Sequence, residues 1–546
     1  MIRRPTAGRA RWIGAAALAL IVVVSTAIRF TASAWSVDAD QPMRRIVETD
    51  ESTFFRHFKG YPDFKPTYVD QTTMQALVLF WAIRPVARAL GVPDKVIASD
   101  LFGYRVGRLS SVLAGIAFLL LIYLGGPHLG LRDRWQRVAA VGILAFSPLI
   151  SVYSHLFVAD APNLLWMWIG FYAFVRFVRL PDFRYAVLFA VAAGFASATK
   201  LSMTYFVIPG LALLLCAPRP VTTALMMLFI VFGAFWLGNG FNYSIDQMDK
   251  AVDMLKYVQK GGHTPVEFSA LTNLRNMSVF FVAGLGIPVT LAALGSLGAA
   301  AVATLRRLRI PRPDLSRALS WGRDFVSDHP LAVLALGLLL QLAISANMAV
   351  GGLFARHVIP FLPLVVLLTV RFLGDHLPAR PVLRVGALTL VLGYQLLFCL
   401  DGERGFYNDP RARARAWLKS HRTKDTPMWS GYYSYDVVVG LPNVYSIRHI
   451  GPSPVPTLRG KQLFVVHQAT YSRYLLADAC KKIQHCLGGD KAREFFVKLI
   501  AGRAEGYKLV FEADPGYVMP EHRLLRRVVP THPFGEVGVV RIYRGG

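Results

Sequence analysis

The chain has 546 residues, of which 54% are hydrophobic and only 17% are charged. A soluble globular protein usually carries about 25% charged residues, so this composition excludes an ordinary soluble enzyme. The formal net charge of +27 does not indicate a nucleic-acid partner, because the basic residues are dispersed between apolar runs instead of gathered on one surface. The composition therefore predicts a polytopic α-helical membrane protein.

Eleven apolar runs are long enough, or nearly so, to cross about 30 Å of hydrocarbon. They lie at roughly 12–34, 107–127, 138–154, 161–178, 185–199, 202–216, 221–239, 277–304, 330–349, 357–375 and 383–400. Segment 74–92 is also apolar, but Arg84 and Arg88 interrupt it at i,i+4. That spacing predicts a helix that lies in the membrane interface within the first long loop, 35–106.

The loop charges predict which side of the membrane each loop faces. If the N-terminus is cytoplasmic, every cytoplasmic loop carries arginine, as in "LRDRWQR" at 131–137 and "RRLRIPRP" at 306–313. Counting 74–92 as a span would place these loops outside. The opposite face then receives loop 35–106, Asp160, Lys200, loop 240–276 and the tail from 401. A cleaved signal peptide ending at "TASA", 31–34, is the alternative to a retained first span.

The tail differs from the rest of the chain, and we predict a transmembrane domain at 1–400 followed by a small extracytoplasmic (periplasmic) α/β domain at 401–546. Strand-like runs at 463–467, 508–513 and 538–544 alternate there with helix-like ones. Cys480 and Cys486 could form a disulfide in an oxidising compartment, which spacing alone does not decide. Arg-rich, Lys-poor loops are typical of a bacterial inner (plasma) membrane protein.

Acidic residues from two separate loops are predicted on the same outer face. Asp160 stands in "YSHLFVADAP", where one span leads directly into the next, so its carboxylate lies at a helix N-terminus. An N-cap is one interpretation of this position and a working carboxylate is the other. The first outer loop supplies further acids, including Asp40, Asp50 and Glu51.

Five motifs in order resemble the GT-C superfamily of membrane glycosyltransferases. They are an acidic pair in the first outer loop, "YRVGRLSSVLAG", an acid before Ala-Pro, "GFASATKLS" and "FARHVIPFLPLVVLL". The chain is most similar to the polyprenyl-phosphate-sugar users related to protein O-mannosyltransferases and to the aminoarabinose transferase of lipid A. The resemblance covers about the first 400 residues and implies a GT-C type helical fold.

The resemblance implies a catalytic aspartate in the first loop, in an Asp-Glu motif. "DADQPMRR" matches with Asp40, although Gln41 replaces the glutamate, whereas Asp50 and Glu51 form a literal pair ten residues later. Asp40 is preferred because its distance from Arg29 and the following proline suit the family pattern. Asp50 and Glu51 remain competitors, and a solvated loop acid is the structural alternative.

The resemblance also implies basic side chains that bind the phosphate of the sugar donor. Arg356 is the stronger candidate for this role and Lys200 is the second. Basic residues at span ends also snorkel to lipid headgroups, which is the alternative for both. Three histidines are candidate substrate contacts: His155, His263 and His357. The sequence shows no spacing of His, Asp or Glu that is typical of metal ligands, so we do not predict a required metal ion. Asp40 and Asp160 could nevertheless share a divalent cation.

The sequence thus predicts an integral-membrane glycosyltransferase. It would move a sugar from a polyprenyl-phosphate carrier to a lipid, glycan or protein hydroxyl on the extracytoplasmic face, with inversion and an aspartate as general base. The alternative is a multi-span transporter or flippase of lipid-linked sugar. A transporter favours charges near mid-membrane and a repeated half, neither of which the sequence shows.

Overall fold

The computed structural model describes residues 7–33, 51, 54–55, 58–59, 71–200, 203–239, 253, 266–267, 269–307, 315–348, 355–376, 381–431, 434–438, 441–446, 462–476, 479–480, 489–528 and 538–545. The helices of its first part are Ala7–Ser33, Gln71–Ala89, Asp94–Ile97, Asp100–Gly125, Arg134–Ala145, Pro148–His155, Asp160–Arg179, Phe183–Lys200, Thr204–Cys216, Pro220–Gly238, Ala270–Arg307, Leu315–Asp328, Pro330–Met348, Leu362–His376 and Pro381–Tyr407. A 3₁₀ helix, Ala355–Phe361, precedes Leu362–His376.

The prediction of a polytopic helical membrane protein is confirmed. Seven helices in the described part are long and apolar enough to cross a membrane, or eight if one bent pair counts as a span. The predicted runs 161–178, 185–199 and 202–216 also form helices, but these are not among the seven. The count of eleven spans is therefore supported only in part. Gln71–Ala89 is a helix outside the seven, consistent with its exclusion from the predicted spans.

The predicted span 138–154 consists of two helices, because the first helix ends at Ala145 and a second begins at Pro148. Arg134–Ala145 and Pro148–His155 are bent by 61° relative to each other. Ser147 caps the second helix by accepting a hydrogen bond from the Ile150 N–H, and Pro148 occupies its first turn, where no amide donor is needed. The apolar pattern alone does not reveal this break.

The tail contains the predicted α/β elements. Its strands are β2 (Met428–Ser430), β3 (Val444–Ser446), β4 (Leu463–His467), β6 (Tyr507–Ala513) and β7 (Val540–Gly545). They form one sheet in the order β3-β2-β4-β7-β6, in which β2 is parallel to β3 and β4, and β7 is antiparallel to β4 and β6. The helices are Pro410–His421, Tyr435–Val438, Gln468–Leu476, Gly489–Ile500 and Pro520–Val528. The central strand β4 is buried along its whole length, as expected for a strand covered on both faces.

A second, two-stranded sheet joins an outer loop to the tail. β1 (Val266–Glu267) pairs antiparallel with β5 (Ala479–Cys480). Val266 and Glu267, which lie in the predicted outer loop 240–276, are therefore in contact with the tail. The helix Pro381–Tyr407 runs past residue 400, so a division into domains at that point stays a prediction. Cys486 is outside the described residues, while Cys216 and Cys399 are buried and free.

The end of the chain returns to the membrane helices and docks on Pro381–Tyr407. Asp401 accepts hydrogen bonds from the Val518 and Met519 amides at 2.8 and 2.9 Å and from Nδ1–H of His522 at 2.8 Å. The Tyr394 hydroxyl donates to Glu521 at 2.7 Å. This carboxylate and its three donors fix the tail against the helical body.

His522 makes this docking dependent on pH. Burial lowers the pKa of His522, although the hydrogen bond to Asp401 opposes the shift. The unfolded chain, with a histidine pKa of about 6.5, therefore binds the proton more readily. His522 contributes its full stabilisation above that pH and loses it as the pH falls below. We expect hydrogen exchange at amides 518–528 to accelerate between pH 7 and 5, after correction for the intrinsic rate, and to do so less in His522→Asn. Equal pH dependence in the two proteins would contradict this assignment.

Candidate active site

Asp160 and Lys200 form an ion pair where two neighbouring helices meet. Asp160 is the first residue of its helix and Lys200 is the last of Phe183–Lys200, so each charge is favoured by its helix dipole. The Lys200 Nζ lies 2.5 Å from Oδ1 of Asp160, and the two side chains are 30% and 5% exposed. The N-cap of the helix is Ala159, without a side-chain cap bond, so the carboxylate binds the lysine instead of capping the helix.

Arg356 and His357 belong to the same group of side chains. Both lie in the 3₁₀ helix and are partly exposed, and His357 is close enough to Lys200 and Arg356 for both charges to act on it. Tyr205 connects the two parts of the group, because the charge of Asp160 acts on it while its ring packs 6.2 Å from that of Phe361.

We call Asp160, Lys200, Tyr205, Arg356 and His357 the polar cluster. It holds two permanent cations and one carboxylate. Arginine and lysine are the side chains that most often bind phosphate oxygens.

The first outer loop is anchored beside this cluster through Glu51. Its Oε1 accepts hydrogen bonds from Nε of Arg108 at 2.9 Å and from the Phe157 amide at 2.7 Å, while Oε2 accepts from Nη2 of Arg108 at 2.9 Å. Both charged side chains are fully buried. Since Phe157 lies three residues before Asp160, Glu51 of the first outer loop lies next to the segment that carries Asp160.

Glycines in the motif "YRVGRLSSVLAG" allow this close approach. A Cβ on Gly107 would lie 2.5 Å from the ring of Phe157, and a Cβ on Gly115 would lie 2.8 Å from Oγ of Ser154. Side chains at these positions would push the Asp160 segment away from the helix. The motif therefore combines close helix contact with the arginine, Arg108, that holds the first loop.

The other predicted site residues either lie outside the described residues or do not contact the polar cluster. Asp40, Asp50 and His263 lie outside the described residues. His155 is fully buried, with Nε2 2.9 Å from Oε2 of Glu403 and its ring edge-on to Phe406. Its described contacts are therefore with the helix Pro381–Tyr407 and not with the polar cluster.

Sequence reasoning assigned no role to Arg108, Tyr205 or Glu403. An arginine at the end of an apolar span must either reach the interface or be paired, which was the available signal for Arg108. Tyr205 and Glu403 offered no such signal, because an interfacial tyrosine and a span-end acid are ordinary. In the described ranges, no group of three His, Cys, Asp or Glu side chains is arranged to hold a metal ion.

Several solved structures resemble the chain in overall shape. The archaeal oligosaccharyltransferase AglB from Archaeoglobus fulgidus, in complex with an inhibitory peptide and a dolichol-phosphate, is 10% identical with a TM-score of 0.45, over 97% of this chain and 88% of that one. ArnT from Cupriavidus metallidurans, bound to undecaprenyl phosphate, is 12% identical with a TM-score of 0.42, over 83% and 93%. The arabinofuranosyltransferase AftD from Mycobacteria is 15% identical with a TM-score of 0.38, over 98% and 40%. Overlaps this loose do not assign roles to individual residues.

No curated protein sequence matches the chain significantly. A family comparison does find a match, which covers about a quarter of the chain and contains Arg108, Asp160 and Lys200. Over residues 96–237 the chain matches the family of dolichyl-phosphate-mannose-protein mannosyltransferases.

Proposed function

We propose that the protein is an integral-membrane glycosyltransferase that uses a polyprenyl-phosphate sugar as donor. The acceptor is a hydroxyl of a lipid, glycan or protein. The observation that carries this proposal is the Asp160–Lys200 ion pair, which lies within the segment that matches the mannosyltransferase family. The charge of Lys200 also acts on His357, the neighbour of Arg356. Lys200 and Arg356 are both partly exposed, and their cationic side chains are suited to binding phosphate oxygens.

The reaction needs one base and a counter-charge for the leaving group. The acceptor oxygen attacks the anomeric carbon and forms the new glycosidic bond, while the bond from that carbon to the donor phosphate oxygen breaks. The acceptor proton passes to a carboxylate, and the electron pair of the broken bond stays on the polyprenyl phosphate. Attack opposite the leaving group inverts the anomeric centre. Arg356 and Lys200 stabilise the negative charge that grows on the phosphate.

The base is proposed to be an aspartate of the first outer loop, with Asp50 as the first candidate and Asp40 as the second. Asp50 is bonded directly to Glu51, whose carboxylate is held at the Phe157 amide. Asp40 precedes Glu51 by eleven residues in the sequence. Glu51 itself serves as a positioning residue, because both of its oxygens accept hydrogen bonds and it is fully buried.

The proposal also includes the side of the membrane that the site faces and the roles of three histidines. The site faces the extracytoplasmic side of a bacterial inner membrane, with a cytoplasmic N-terminus and the 401–546 region on the side of the site. His357 and His263 contact substrate, whereas His155 supports the Asp160 segment through Glu403. In this proposal the aspartate of the first loop accepts the proton, Arg356 and Lys200 stabilise the phosphate, and no metal ion is required.

Loss of Lys200 is expected to reduce both stability and transfer. Lys200→Gln leaves the buried Asp160 carboxylate without its cation, which costs about 1–3 kcal/mol, less than for a fully buried pair because Lys200 is 30% exposed. Asp160→Asn combined with Lys200→Gln removes both charges and should recover most of the unfolding temperature. Transfer should stay at least about 10²-fold below wild type in both proteins. Recovery of activity in the double variant would remove Lys200 from the donor site.

The proposed activity is tested with purified protein and a labelled polyprenyl-phosphate sugar. We expect free polyprenyl phosphate to appear only when an acceptor is added, and Arg356→Gln to lower its rate by about 10²–10³. Arg275, exposed on the helix Ala270–Arg307, provides a matched control as Arg275→Gln. A transporter would move the donor across sealed vesicles without releasing polyprenyl phosphate, and that result would contradict the proposal.

A further inference from the structure

Three arginine side chains converge on the turn Gly125–Leu131, at the end of the protein away from the polar cluster. The Nη1 of Arg176 lies 2.6 Å from Nε2 of His128, and Nη1 of Arg179 donates to the His128 carbonyl at 2.7 Å. Arg371 reaches the turn from another helix, since a Cβ on Gly130 would lie 3.3 Å from its Nη1. Gly130 has a φ of 91°, which favours glycine in any case.

Within the described part of the chain, these arginines lack a compensating anion. Among the residues that the structure describes, no carboxylate forms an ion pair with Arg176, Arg179 or Arg371. The charge of Arg371 acts on Arg179, so the two guanidinium groups repel each other. Asp182 is close enough to Arg176 to sense its charge, but its carboxylate is already held by Arg184 at 2.6 Å.

The turn itself does not compensate for this charge. Burial lowers the pKa of His128, and the charges of Arg176 and Arg179 lower it further. His128 is therefore neutral near pH 7, and its Nε2 accepts a hydrogen bond from Arg176. Arg179 and Arg371 are exposed, so their remaining N–H groups are accessible.

The location of the arginines separates them from the proposed active site. The helix Asp160–Arg179 has 20 residues, so its two ends are about 30 Å apart, which is the thickness of the hydrocarbon layer. Arg356 and Arg371 likewise lie toward opposite ends of the continuous segment Ala355–His376. The three arginines therefore lie at the opposite membrane surface from Asp160.

We propose that Arg176, Arg179 and Arg371 bind the phosphate of an anionic phospholipid headgroup. Forked guanidinium groups bind phosphate oxygens in pairs and keep their charge at a lipid interface. The cytoplasmic leaflet is rich in anionic lipid, and basic pockets between helix ends on that side bind such headgroups. The choice of leaflet rests on the orientation given with the proposed function. A free phosphate ion has the same binding chemistry, so the test must distinguish the two sources.

Native mass spectrometry of the full chain in a neutral detergent, titrated with phosphatidylglycerol, tests the proposal. We expect the Kd of the tightest lipid to rise about tenfold in Arg179→Gln/Arg371→Gln. The control Arg219→Gln/Arg323→Gln removes two exposed arginines from the same predicted face and should change it less than about twofold. Arg371→Lys keeps the charge and loses the fork, so it should fall between wild type and the double variant.

A second titration with inorganic phosphate identifies the source of the ligand. If inorganic phosphate raises the Tm of wild type but not of the double variant, and phosphatidylglycerol adds nothing, the lipid assignment is overturned. Equal weakening of lipid binding in the double variant and the control would overturn the site as a whole. Neither readout depends on sugar transfer. The lipid site can therefore be disproved while the proposed function stands, and the proposed function can be disproved while the lipid site stands.

Discussion

Asp50→Asn is expected to lower sugar transfer by about 10²–10⁴, the range that a general base contributes. The amide keeps the shape of the side chain but does not accept the acceptor proton. Expression and the unfolding temperature should stay close to wild type, since the substitution only replaces one carboxylate oxygen with an amide group of similar size. The measurement is the rate of polyprenyl phosphate release from a labelled donor at saturating acceptor.

Asp40→Asn is the matched comparison for Asp50→Asn. If Asp50 is the base, Asp40→Asn should retain transfer within about tenfold of wild type, a change too small for loss of a general base. Full activity in Asp50→Asn together with loss in Asp40→Asn would transfer the role to Asp40. Full activity in both variants would show that neither aspartate is the base.

Glu51→Gln and Arg108→Gln are expected to cause the largest losses of stability. Each leaves one charge of a fully buried pair without its partner, which costs about 3–5 kcal/mol. Glu51→Leu combined with Arg108→Met should cost less than either single change, because no buried charge remains. Unfolding monitored in detergent, as a function of temperature or denaturant, compares the four proteins.

The chain supplies a control for this pair that joins the same two segments. Lys59 and Asp100 form an ion pair at 2.6 Å, but their side chains are 49% and 32% exposed. Lys59→Gln should therefore cost less than about 1 kcal/mol. If Glu51→Gln costs no more than Lys59→Gln, the carboxylate of Glu51 does not anchor the first loop.

The sequence predicted those features that follow from local pattern or from summed charge. Apolar length located the helical body, and short strand-like runs in the tail located β4, β6 and β7. The arginine content of the loops predicted that the first two outer loops face the same side of the membrane, and Glu51 of the first loop accepts a hydrogen bond from Phe157 of the second. It also placed loop 240–276 with the tail, in agreement with the β1–β5 pairing.

Contacts between residues far apart in the sequence could not be predicted from the sequence pattern. Glu51 and Arg108 are 57 positions apart, and His155 and Glu403 are 248 positions apart. No periodicity relates such residues, because their pairing results from how the helices pack. The Asp401–His522 contact was missed for the same reason, together with the return of the tail to the membrane helices.

A structure of the protein in a lipid nanodisc with polyprenyl phosphate bound would show directly whether Arg356 and Lys200 hold the donor phosphate. We expect the phosphate to lie within hydrogen-bonding distance, about 3 Å, of both Arg356 and Lys200, on the same face as Glu51 and Asp160. A phosphate bound elsewhere, with Arg356 and Lys200 contacting only membrane lipid, would contradict the account.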